Sequence, residues 1–532
     1  MHSRTSATPT RVAILVATSR RAHMRRPWDA IVVGGGVVGC AVLRELTVGR
    51  GLRCLLVEAS QHLVAGASSG NTGIACTASD VAPGTIEHAC LSEGTKLNLP
   101  TYRQLNVPHR PTGTIYVAYS HAERETLERE QALRTERGDD TPRLLTASEA
   151  LEREPALAGS SVVGALLLPG ETVVDPWLVP MAYARHAHEN GAEIRRGTEV
   201  VAAVREHDLW RLTLSSPSSS SAEAETIEAE AHAVVACGGL RGDHLEGLHR
   251  APPFGIRPRR GDYVLYDGLY DDDGSSTDGS AAASAAGAGA VRGETPVGQV
   301  PSATSRGVYV WRSVLGVLAC GPTAEDVDPT QRATPPRPTD DAVREALHTK
   351  AARALPALGG AVVSGTYAGL RPASDASPDY QIGVVRGDGS GGGGGGGGAG
   401  GSDGCGGGAT GGAPWVTVGG IRSTGLTASL GIAKHVARLV CDDAAFAATA
   451  AATAAAMAAA MTAADATTPT SPPPKKVHTT PLPDVESLVA SFRARGDGTV
   501  VFGDDATGFG AHYVTHPLTR TGLERLASDS PI

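Results

Sequence analysis

The chain has 532 residues, which is too long for one compact hydrophobic core because single cores stop growing at roughly 250–300 residues. Its net charge of -9 and the lack of a basic block within it argue against a nucleic-acid-binding groove. Its eight cysteines include no Cys-x-x-Cys pair, so we predict no metal site and a reducing compartment.

The N-terminal residues 1–28 have the composition of an organelle transit peptide. They contain six Arg, many Ser and Thr, and no Asp or Glu. A membrane potential can draw such an acid-free, basic segment inward. We therefore predict a mitochondrial location, with plastid or cytoplasm as the alternatives; an unstructured tail is the other interpretation of the segment.

Residues 28–46 have the pattern of a buried strand, a glycine turn and a helix. Residues 31–33 are apolar and β-branched, and Val38, Val42 and Leu46 then follow at helical spacing. The pattern predicts a strand and a helix whose apolar side carries these three residues.

The turn between them has the spacing of a dinucleotide-binding fingerprint. Gly34 permits the tight turn, Gly36 lets the backbone approach a pyrophosphate, and Gly39 allows the helix to pack closely on the strand. A second apolar strand, residues 53–57, ends at Glu58, where a carboxylate can accept both hydroxyls of an adenosine ribose. These residues predict a dinucleotide site and argue against NADP there.

A loop of small residues, 67–73, directly follows the second strand, and we call it the flavin loop. NAD domains normally continue into another helix and strand at this point, whereas hydroxyls and backbone amides here can wrap a flavin dinucleotide. Further apolar strands run into glycines near residues 231–239 and 415–427. Three such strands so far apart predict a cofactor domain assembled from discontinuous pieces.

Four stretches are too poor in large apolar residues to offset the entropy of ordering them, so we expect surface loops or linkers. They are residues 215–226, 271–290, 389–412 and 443–476. The last includes residues 444–464, which are long enough to span a bilayer but consist almost entirely of Ala and Thr. We therefore predict no membrane span.

These motifs resemble the D-amino-acid oxidase superfamily of FAD-dependent oxidoreductases, in the branch of glycerol-3-phosphate dehydrogenase-like and L-2-hydroxyglutarate dehydrogenase-like proteins. The resemblance covers roughly residues 29–441. Besides the fingerprint and Glu58, its matching motifs are residues 69–73, 83–85, 113–117, 321–326, 369–372 and 420–427.

The resemblance implies an α/β fold with a Rossmann-like FAD-binding domain built from discontinuous segments, a mixed β-sheet substrate domain and low-complexity insertions. We expect the FAD-binding domain in residues 29–110, 165–250 and 360–442, and the substrate domain in residues 111–164 and 251–359. Residues 443–480 would form a linker. Residues 481–532 would form a C-terminal tail to which we assign no role.

The resemblance also implies which residues hold FAD. Ser68, Ser69 and Asn71 would line the path from the pyrophosphate to the flavin, and the backbone of Val201 would meet the adenine. Gly238, Gly420 and Leu426 would approach the pyrophosphate and the pyrimidine edge, and the helix near Thr427 would point at the flavin. The full implied set is Gly34, Gly36, Gly39, Glu58, Ser68, Ser69, Asn71, Val201, Gly238, Gly420, Leu426 and Thr427.

One position departs from the family pattern. Cys76 stands where the hydroxyacid-oxidising members carry a histidine that resembles a catalytic base. Oxidation of an alcohol needs a group that takes the hydroxyl proton, whereas a neutral amine needs none. Lone histidines are more often packing or surface residues, so His88, His109 and His121 are weak substitutes. The base therefore stays unassigned, and the 2-hydroxyglutarate interpretation is weakened.

Arg371 is the first candidate for binding the substrate. A guanidinium can form a bidentate pair with a carboxylate or phosphate and so orient an anion. The alternative is a structural salt bridge, for which Asp375 and Asp379 are the nearest partners in the sequence.

Three further arginines lie in one extended segment, residues 256–263. Side chains alternate along a strand, so Arg257 and Arg259 should share one face and Arg260 the other. We expect one of them to help bind the anion and name Arg259.

The function predicted from the sequence is an FAD-dependent dehydrogenase that transfers hydride from a small anionic alcohol to flavin N5. Glycerol 3-phosphate is the first candidate and a 2-hydroxy acid the second. The alternatives are an amine or amino-acid oxidase and a catalytically inactive flavoprotein that assists assembly. The electron acceptor stays open among oxygen, a quinone and an electron-transfer flavoprotein.

Overall fold

The computed structural model describes residues 26–206, 208–217, 224–266, 293–301, 306–332, 335–385, 412–442, 477–502 and 508–529. The strands of these residues are β1 (Ala30–Val33), β2 (Cys54–Val57), β3 (Ile74–Ala75), β4 (His109–Arg110), β5 (Thr114–Ala118), β6 (Arg143–Leu145), β7 (Gly164–Leu168), β8 (Thr172–Val174), β9 (Glu193–Arg195), β10 (Glu199–Glu206), β11 (Leu209–Ser216), β12 (Glu225–Ala231), β13 (Val234–Ala236), β14 (Ile256–Tyr266), β15 (Val297–Gln299), β16 (Tyr309–Arg312), β17 (Leu318–Gly321), β18 (Glu325–Asp326), β19 (Val363–Ser374), β20 (Gln381–Val385), β21 (Trp415–Gly419), β22 (Thr499–Val501) and β23 (Ala511–Tyr513). The α-helices are α1 (Val37–Arg44), α2 (Ile86–Gln104), α3 (His121–Glu136), α4 (Ala147–Arg153), α5 (Leu178–Glu189), α6 (Gly242–Glu246), α7 (Asp341–Ala354), α8 (Gly425–Cys441), α9 (Val485–Arg495) and α10 (Pro517–Asp529).

A six-stranded sheet is built from distant parts of the chain, in the order β20-β21-β13-β1-β2-β9. The pairs β21-β13, β13-β1, β1-β2 and β2-β9 are parallel, and β20 adds an antiparallel edge. Parallel strands with helices between them form a Rossmann-like sheet whose ligands bind at the carboxyl ends of the strands. The predicted fold class, with its discontinuous Rossmann-like sheet, is confirmed.

Helix α1 is more deeply buried than the sequence pattern predicts. Val42 and Leu46, the latter just beyond α1, are fully buried as expected and Val38 is half-buried, but Cys40 and Leu43 on other sides of the helix are fully buried as well. The reason is that α1 packs against α5 on one side and α8 on another. A helix enclosed in this way needs apolar residues around most of its circumference.

The second large sheet is mixed and has nine strands, in the order β18-β14-β17-β16-β15-β5-β7-β6, with β19 paired to β14. The β14–β19 pairing is long, running from Ile256 opposite Ser374 to Tyr266 opposite Val363. Both β7 and β19 belong to this sheet, although residues 165–250 and 360–442 were assigned to the cofactor domain. Along the chain, the change from one sheet to the other therefore does not fall at residues 165 and 360.

The low-complexity stretches lie mostly outside the described residues. The exception is residues 215–226, where Ser215 pairs with Thr226 and Ser216 with Glu225 between β11 and β12. The expected loop is therefore shorter than predicted, because the hairpin strands extend into it. Within the described ranges, no helix combines the length and apolar character needed to cross a bilayer.

The C-terminal segment, residues 477–502 and 508–529, packs into the main core. Its Phe492, Phe502 and Leu523 are buried in the same cluster as residues of α1, α5 and α8. The ring of Phe502 stacks on that of Trp177 in the turn before α5, with centroids 5.8 Å apart. This segment is thus an integral part of the folded unit.

Candidate functional site

The glycine turn after β1 brings three backbone segments into contact. Gly34 has a φ of +111°, and a Cβ there would lie 2.3 Å from the carbonyl oxygen of Cys237. A Cβ at Gly39 would lie 1.9 Å from the carbonyl oxygen of Gly34. No side chain fits at either position, so the end of β1, the end of β13 and the start of α1 can approach closely only with glycine.

A serine hydroxyl meets the N-terminus of α1. The backbone N–H of Val37 donates to Ser68 Oγ at 3.0 Å, and a Cβ at Gly36 would lie only 3.1 Å from the same oxygen. The Ser69 hydroxyl turns back to the carbonyl of Gly66 at 2.8 Å. A helix N-terminus with free N–H groups and a neighbouring hydroxyl is suited to a pyrophosphate.

Glu58 lies at the carboxyl end of β2 with both oxygens in use. Its carboxylate accepts from the N–H of Gly35 at 2.6 Å and from the N–H of Ser60 at 2.7 Å. Burial raises the pKa of Glu58, and these two hydrogen bonds oppose the rise. Since a carboxylate has about four lone-pair positions, it keeps capacity to accept ribose hydroxyls.

Val201 lies at an irregularity in the β10–β11 pairing. The register shifts between Val200 and Ala202, so the peptide of Val201 falls outside the ladder, and its side chain is exposed. A bulge leaves backbone groups free of strand partners. The backbone contact to adenine stays a prediction that this geometry supports.

The remaining implied residues follow β13 and β21 at the same sheet edge. Gly238 comes directly after Cys237, whose N–H donates to the carbonyl of Val33, and Gly420 follows β21 with a φ of +66°. Leu426 and Thr427 are buried in the first turn of α8.

Asn71 organises the flavin loop. Its side-chain amide donates to the carbonyl of Ser68 at 2.9 Å, and its side-chain oxygen accepts from the N–H of Gly73 at 2.8 Å. Its main-chain carbonyl accepts from the hydroxyl of Tyr367 at 3.2 Å and lies 3.1 Å from Nε2 of His516. The sequence interpretation missed both of these partners because they lie far away in the chain.

These residues fit FAD. The closely packed glycine turn leaves room for a pyrophosphate at α1, Ser68 supplies a hydroxyl there, and Glu58 supplies the ribose acceptor. The flavin loop and the first turn of α8 converge where Thr427 Oγ1 accepts from the N–H of Cys76 at 3.0 Å. The flavin loop and the first turn of α8 would hold the flavin end of FAD, where the N-terminus of α8 favours negative charge.

Arg371 lies on the face of β19 that meets the flavin loop. Side chains alternate along a strand, so Arg371 shares a face with Tyr367, which donates to the loop at Asn71. Its guanidinium donates to the carbonyls of Arg260 and Thr323, at 3.4 and 3.2 Å. Two carbonyls occupy part of a group with five N–H donors, so capacity for an anion is left.

The two alternative partners of Arg371 are engaged elsewhere. Asp375 accepts from the N–H of Gly255 and lies 3.8 Å from Arg257, and Asp379 accepts from two N–H groups at the start of α2. Among the described residues, no carboxylate forms an ion pair with Arg371.

The other three arginines divide between the faces of β14 as expected. Arg257 is exposed and Arg259 half-buried on one face, and Arg260 is buried on the other, where it pairs with Asp262. Arg259 lies directly opposite Arg371 in the β14–β19 register, and its guanidinium is 3.5 Å from the exposed Asp326. Its part in binding an anion stays a prediction.

Cys76 has a carboxyl neighbour that the sequence interpretation did not find. Strands β3 and β8 are antiparallel, with Ala75 opposite Thr172, so Cys76 and Glu171 lie side by side just beyond the paired ends. Both are buried, and burial, helped by the Glu171 carboxyl, raises the pKa of the Cys76 thiol. Burial and the neighbouring Asp80 carboxylate raise the pKa of Glu171 to about 7.

Two arginines offset the negative charge of these acidic residues. Asp80 pairs with Arg134 and, at 2.6 Å, with Arg306. The hydroxyls of Tyr116 and Tyr309 lie nearby and bond to each other at 2.6 Å. Cys76, Asp80, Glu171 and Arg306 come from three separate parts of the chain, residues 76–80, 171 and 306, so no local motif could reveal the group.

The three histidines considered as bases lie in three different elements, α2, α3 and β4. His121 is exposed at the start of α3, and His88 lies in the first turn of α2. His109 Nδ1 bonds the carbonyl of Val107 at 2.7 Å.

Comparisons with known proteins identify the family. A family model described as FAD dependent oxidoreductase (DAO) matches residues 29–439. The chain is 27% identical over 422 residues to a glycerol 3-phosphate oxidase of Mycoplasma pneumoniae, covering 77% of this chain and 94% of that protein. It is 27% identical over 242 residues to an L-2-hydroxyglutarate dehydrogenase, mitochondrial, of Caenorhabditis elegans, covering 45% of this chain and about half (54%) of that protein.

Solved structures show the same fold. The L-alpha-glycerophosphate oxidase of Mycoplasma pneumoniae, with FAD bound, has a TM-score of 0.61 at 25% identity and covers 78% of this chain and 95% of that chain. A glycine oxidase from Geobacillus kaustophilus has a TM-score of 0.59 at 21% identity and covers 78% of this chain and 95% of that chain.

Proposed function

Because this chain belongs to the DAO family of FAD-dependent oxidoreductases, we propose that it oxidises a small anionic alcohol, glycerol 3-phosphate first and a 2-hydroxy acid second. When bound, FAD supplies the acceptor for the hydride that leaves the substrate carbon. The chain must then hold the anion, orient the carbon and accept the hydroxyl proton.

The observation that carries the proposal is the placement of Arg371. Its guanidinium lies on the sheet face that meets the flavin loop and is only half-buried. Its contacts among the described residues are two backbone carbonyls and the phenol of Tyr263 rather than a carboxylate. A cation held in this way favours an anionic ligand. The relatives named for glycerol 3-phosphate and L-2-hydroxyglutarate act on compounds that are both anions and alcohols.

Glu171 is our candidate for the proton acceptor that an alcohol needs. It lies beside Cys76, the position where the hydroxyacid-oxidising members carry a histidine, and burial together with Asp80 raises its pKa to about 7. A base works best when its pKa is close to the working pH. In the proposed step the hydroxyl proton passes to the Glu171 carboxylate as the hydride leaves and the C=O bond forms.

The test is anaerobic reduction of the purified holoenzyme by glycerol 3-phosphate, L-2-hydroxyglutarate or glycine. Loss of the oxidised flavin absorbance, at roughly 450 nm, follows the reaction. We expect bleaching by one of the two anionic alcohols. Bleaching by glycine alone would favour an amine oxidase, and no bleaching by any candidate would favour the inactive assembly factor.

The same reduced protein identifies the class of electron acceptor. Admitting oxygen, a soluble quinone or an electron-transfer flavoprotein to separate samples and following recovery of the flavin absorbance ranks the three. We make no choice among them, because the described residues contain no feature that selects one.

We further propose that residues 1–28 direct the chain to mitochondria. The support is their six Arg without an acidic residue, together with relatives whose names include mitochondrial, although other relatives are bacterial. Residues 1–25 lie outside the described residues. Residues 1–28 fused to a fluorescent protein should be imported, and changing Arg20 and Arg21 to Glu should abolish import. Import of that variant would contradict the proposal.

A further inference from the structure

We propose that the C-terminal segment completes the cofactor site, with His516 as the positioning residue that holds the flavin loop through the backbone of Asn71. The family match ends at residue 439, so this segment lies beyond the matched region. The inference concerns FAD binding and is independent of the proposed substrate.

The end of the segment is docked directly behind the flavin loop. Thr515 Oγ1 donates to the carbonyl of Val64 at 2.9 Å, just before the loop. The Thr519 hydroxyl donates to the buried carboxylate of Asp175 at 3.0 Å, and Leu518 packs among the aromatic residues under β14 and β19. His516, between these anchors, is 0% exposed.

Both nitrogens of the His516 ring face backbone groups. Nε2 lies beside the peptide groups of Asn71, 3.2 Å from its backbone nitrogen and 3.1 Å from its carbonyl oxygen. On the other side of the ring, the backbone nitrogen of Leu518 lies 3.3 Å from Nδ1. His516 therefore contacts the flavin loop through Nε2 and its own segment through Nδ1.

Burial keeps this histidine in the neutral form. It lowers the pKa of His516 to about 3, so the ring is uncharged at physiological pH. The ring also packs edge-on against Tyr367, with centroids 5.6 Å apart. Its orientation is thus fixed by packing as well as by hydrogen bonds.

Fixing the backbone of Asn71 orients the rest of the flavin loop. Nε2 of His516 contacts the backbone N–H and carbonyl of Asn71, and the hydroxyl of Tyr367 donates to the same carbonyl. The side chain of Asn71 then bonds Ser68 on one side and Gly73 on the other. Because Ser68 Oγ meets the N-terminus of α1, the contacts run without a break from His516 to the predicted pyrophosphate position.

The decisive experiment compares two amide substitutions at position 516. In His516→Gln, the amide group reaches the place of Nε2 and can still hydrogen-bond the backbone of Asn71. In His516→Asn, the amide group reaches only the place of Nδ1, so it can satisfy Leu518 but not Asn71. The pair therefore separates the contact to the loop from the folding of the segment.

The measurement is the dissociation constant of FAD, from the quenching of flavin fluorescence on titration with apoprotein. We expect His516→Asn to weaken FAD binding at least tenfold and His516→Gln to stay within about threefold of the unchanged protein. His512→Asn is the matched control, since His512 is also buried in the segment, and among the described residues its ring nitrogens bond the carbonyl of Phe509 and Arg196 rather than the flavin loop. We expect FAD affinity in that control to stay within threefold.

Equal FAD affinity for the Gln and Asn variants at position 516 would overturn the proposal. So would a loss of affinity in His512→Asn as large as that in His516→Asn, because that result would show a general effect of destabilising the segment. Hydrogen exchange of the Gly73 amide gives a second readout that does not depend on FAD. We expect faster exchange in His516→Asn than in His516→Gln.

Discussion

Gly70 and Gly369 touch through their backbones: a Cβ at Gly369 would lie 2.0 Å from the carbonyl oxygen of Gly70, and a Cβ at Gly70 would lie 2.3 Å from the Cα of Gly369. Gly70 belongs to the flavin loop, and Gly369 lies on β19 two residues before Arg371. This contact therefore sets the distance between the cofactor loop and the candidate substrate anchor.

A methyl group at Gly369 should push the loop and the strand apart. Because the atoms it would meet are backbone, we expect Gly369→Ala to destabilise the protein by about 1–3 kcal/mol and to weaken FAD binding. Gly383→Ala is the control, since a Cβ there meets nothing within 4 Å. Thermal unfolding and FAD titration check both variants, and equal behaviour of the two would contradict the contact.

Glu58 should matter for FAD more than for the fold. Hydrogen bonds to a charged group contribute about 1.5–3 kcal/mol, so Glu58→Ala should weaken FAD binding roughly 10- to 100-fold, with Glu58→Gln intermediate because it keeps one acceptor oxygen.

A carboxylate at the other end of the sheet provides the control for Glu58. Asp29 accepts from the N–H of Arg53 at 2.8 Å, before β1, and is remote from the carboxyl ends of the strands. Asp29→Ala should lower the thermal midpoint without changing FAD affinity. Unchanged flavin occupancy in Glu58→Ala would rule out the ribose assignment.

Arg371→Lys should reduce substrate binding while FAD stays bound. Lysine keeps the charge but loses the planar fork that binds an anion with two hydrogen bonds. We expect KM for the anionic substrate to rise roughly 10- to 100-fold. Arg259 lies on the same face of the sheet as Arg371, beside the exposed Asp326. Arg259→Lys therefore tests whether replacing a neighbouring arginine raises KM to the same extent. Loss of FAD from Arg371→Lys would instead assign a structural role.

The parts of the site that follow from the sequence are those encoded locally. Gly34, Gly39 and Glu58 belong to one strand–turn–helix–strand unit, and the spacing within such a unit fixes where each residue lies. The same holds for the division of Arg257 and Arg260 between the two faces of β14, since alternation along one strand decides it.

The missed residues are placed by tertiary contacts between remote segments. Glu171 is beside Cys76 only because β3 and β8 pair, 97 positions apart at Ala75 and Thr172. His516 reaches Asn71 across 445 residues, past stretches of low complexity. Neither strand periodicity nor a short motif encodes a contact between residues so far apart, so the sequence alone assigns no role to the C-terminal segment.

Glu171 makes a specific prediction about stability and pH. Its ordinary pKa is about 4.3, and in the folded protein burial and Asp80 raise the pKa to about 7. Between these values the unfolded chain loses a proton that the folded chain keeps, so the folded state binds more protons and the free energy of unfolding falls as pH rises. The stabilising effect is complete below about pH 4 and lost above about pH 7.

Glu171→Gln should remove this part of the pH dependence, because the amide does not titrate. Each unit of pKa shift corresponds to about 1.4 kcal/mol, so the decline in thermal midpoint from pH 5 to pH 8 should become clearly smaller in the variant. Glu136→Gln, at an exposed position at the end of α3, is the control and should keep the decline of the unchanged protein. If Glu171 is also the proton acceptor, the same substitution should abolish the acid limb of kcat/KM with its midpoint near 7, whereas a purely structural carboxyl would change the stability profile and leave that limb in place.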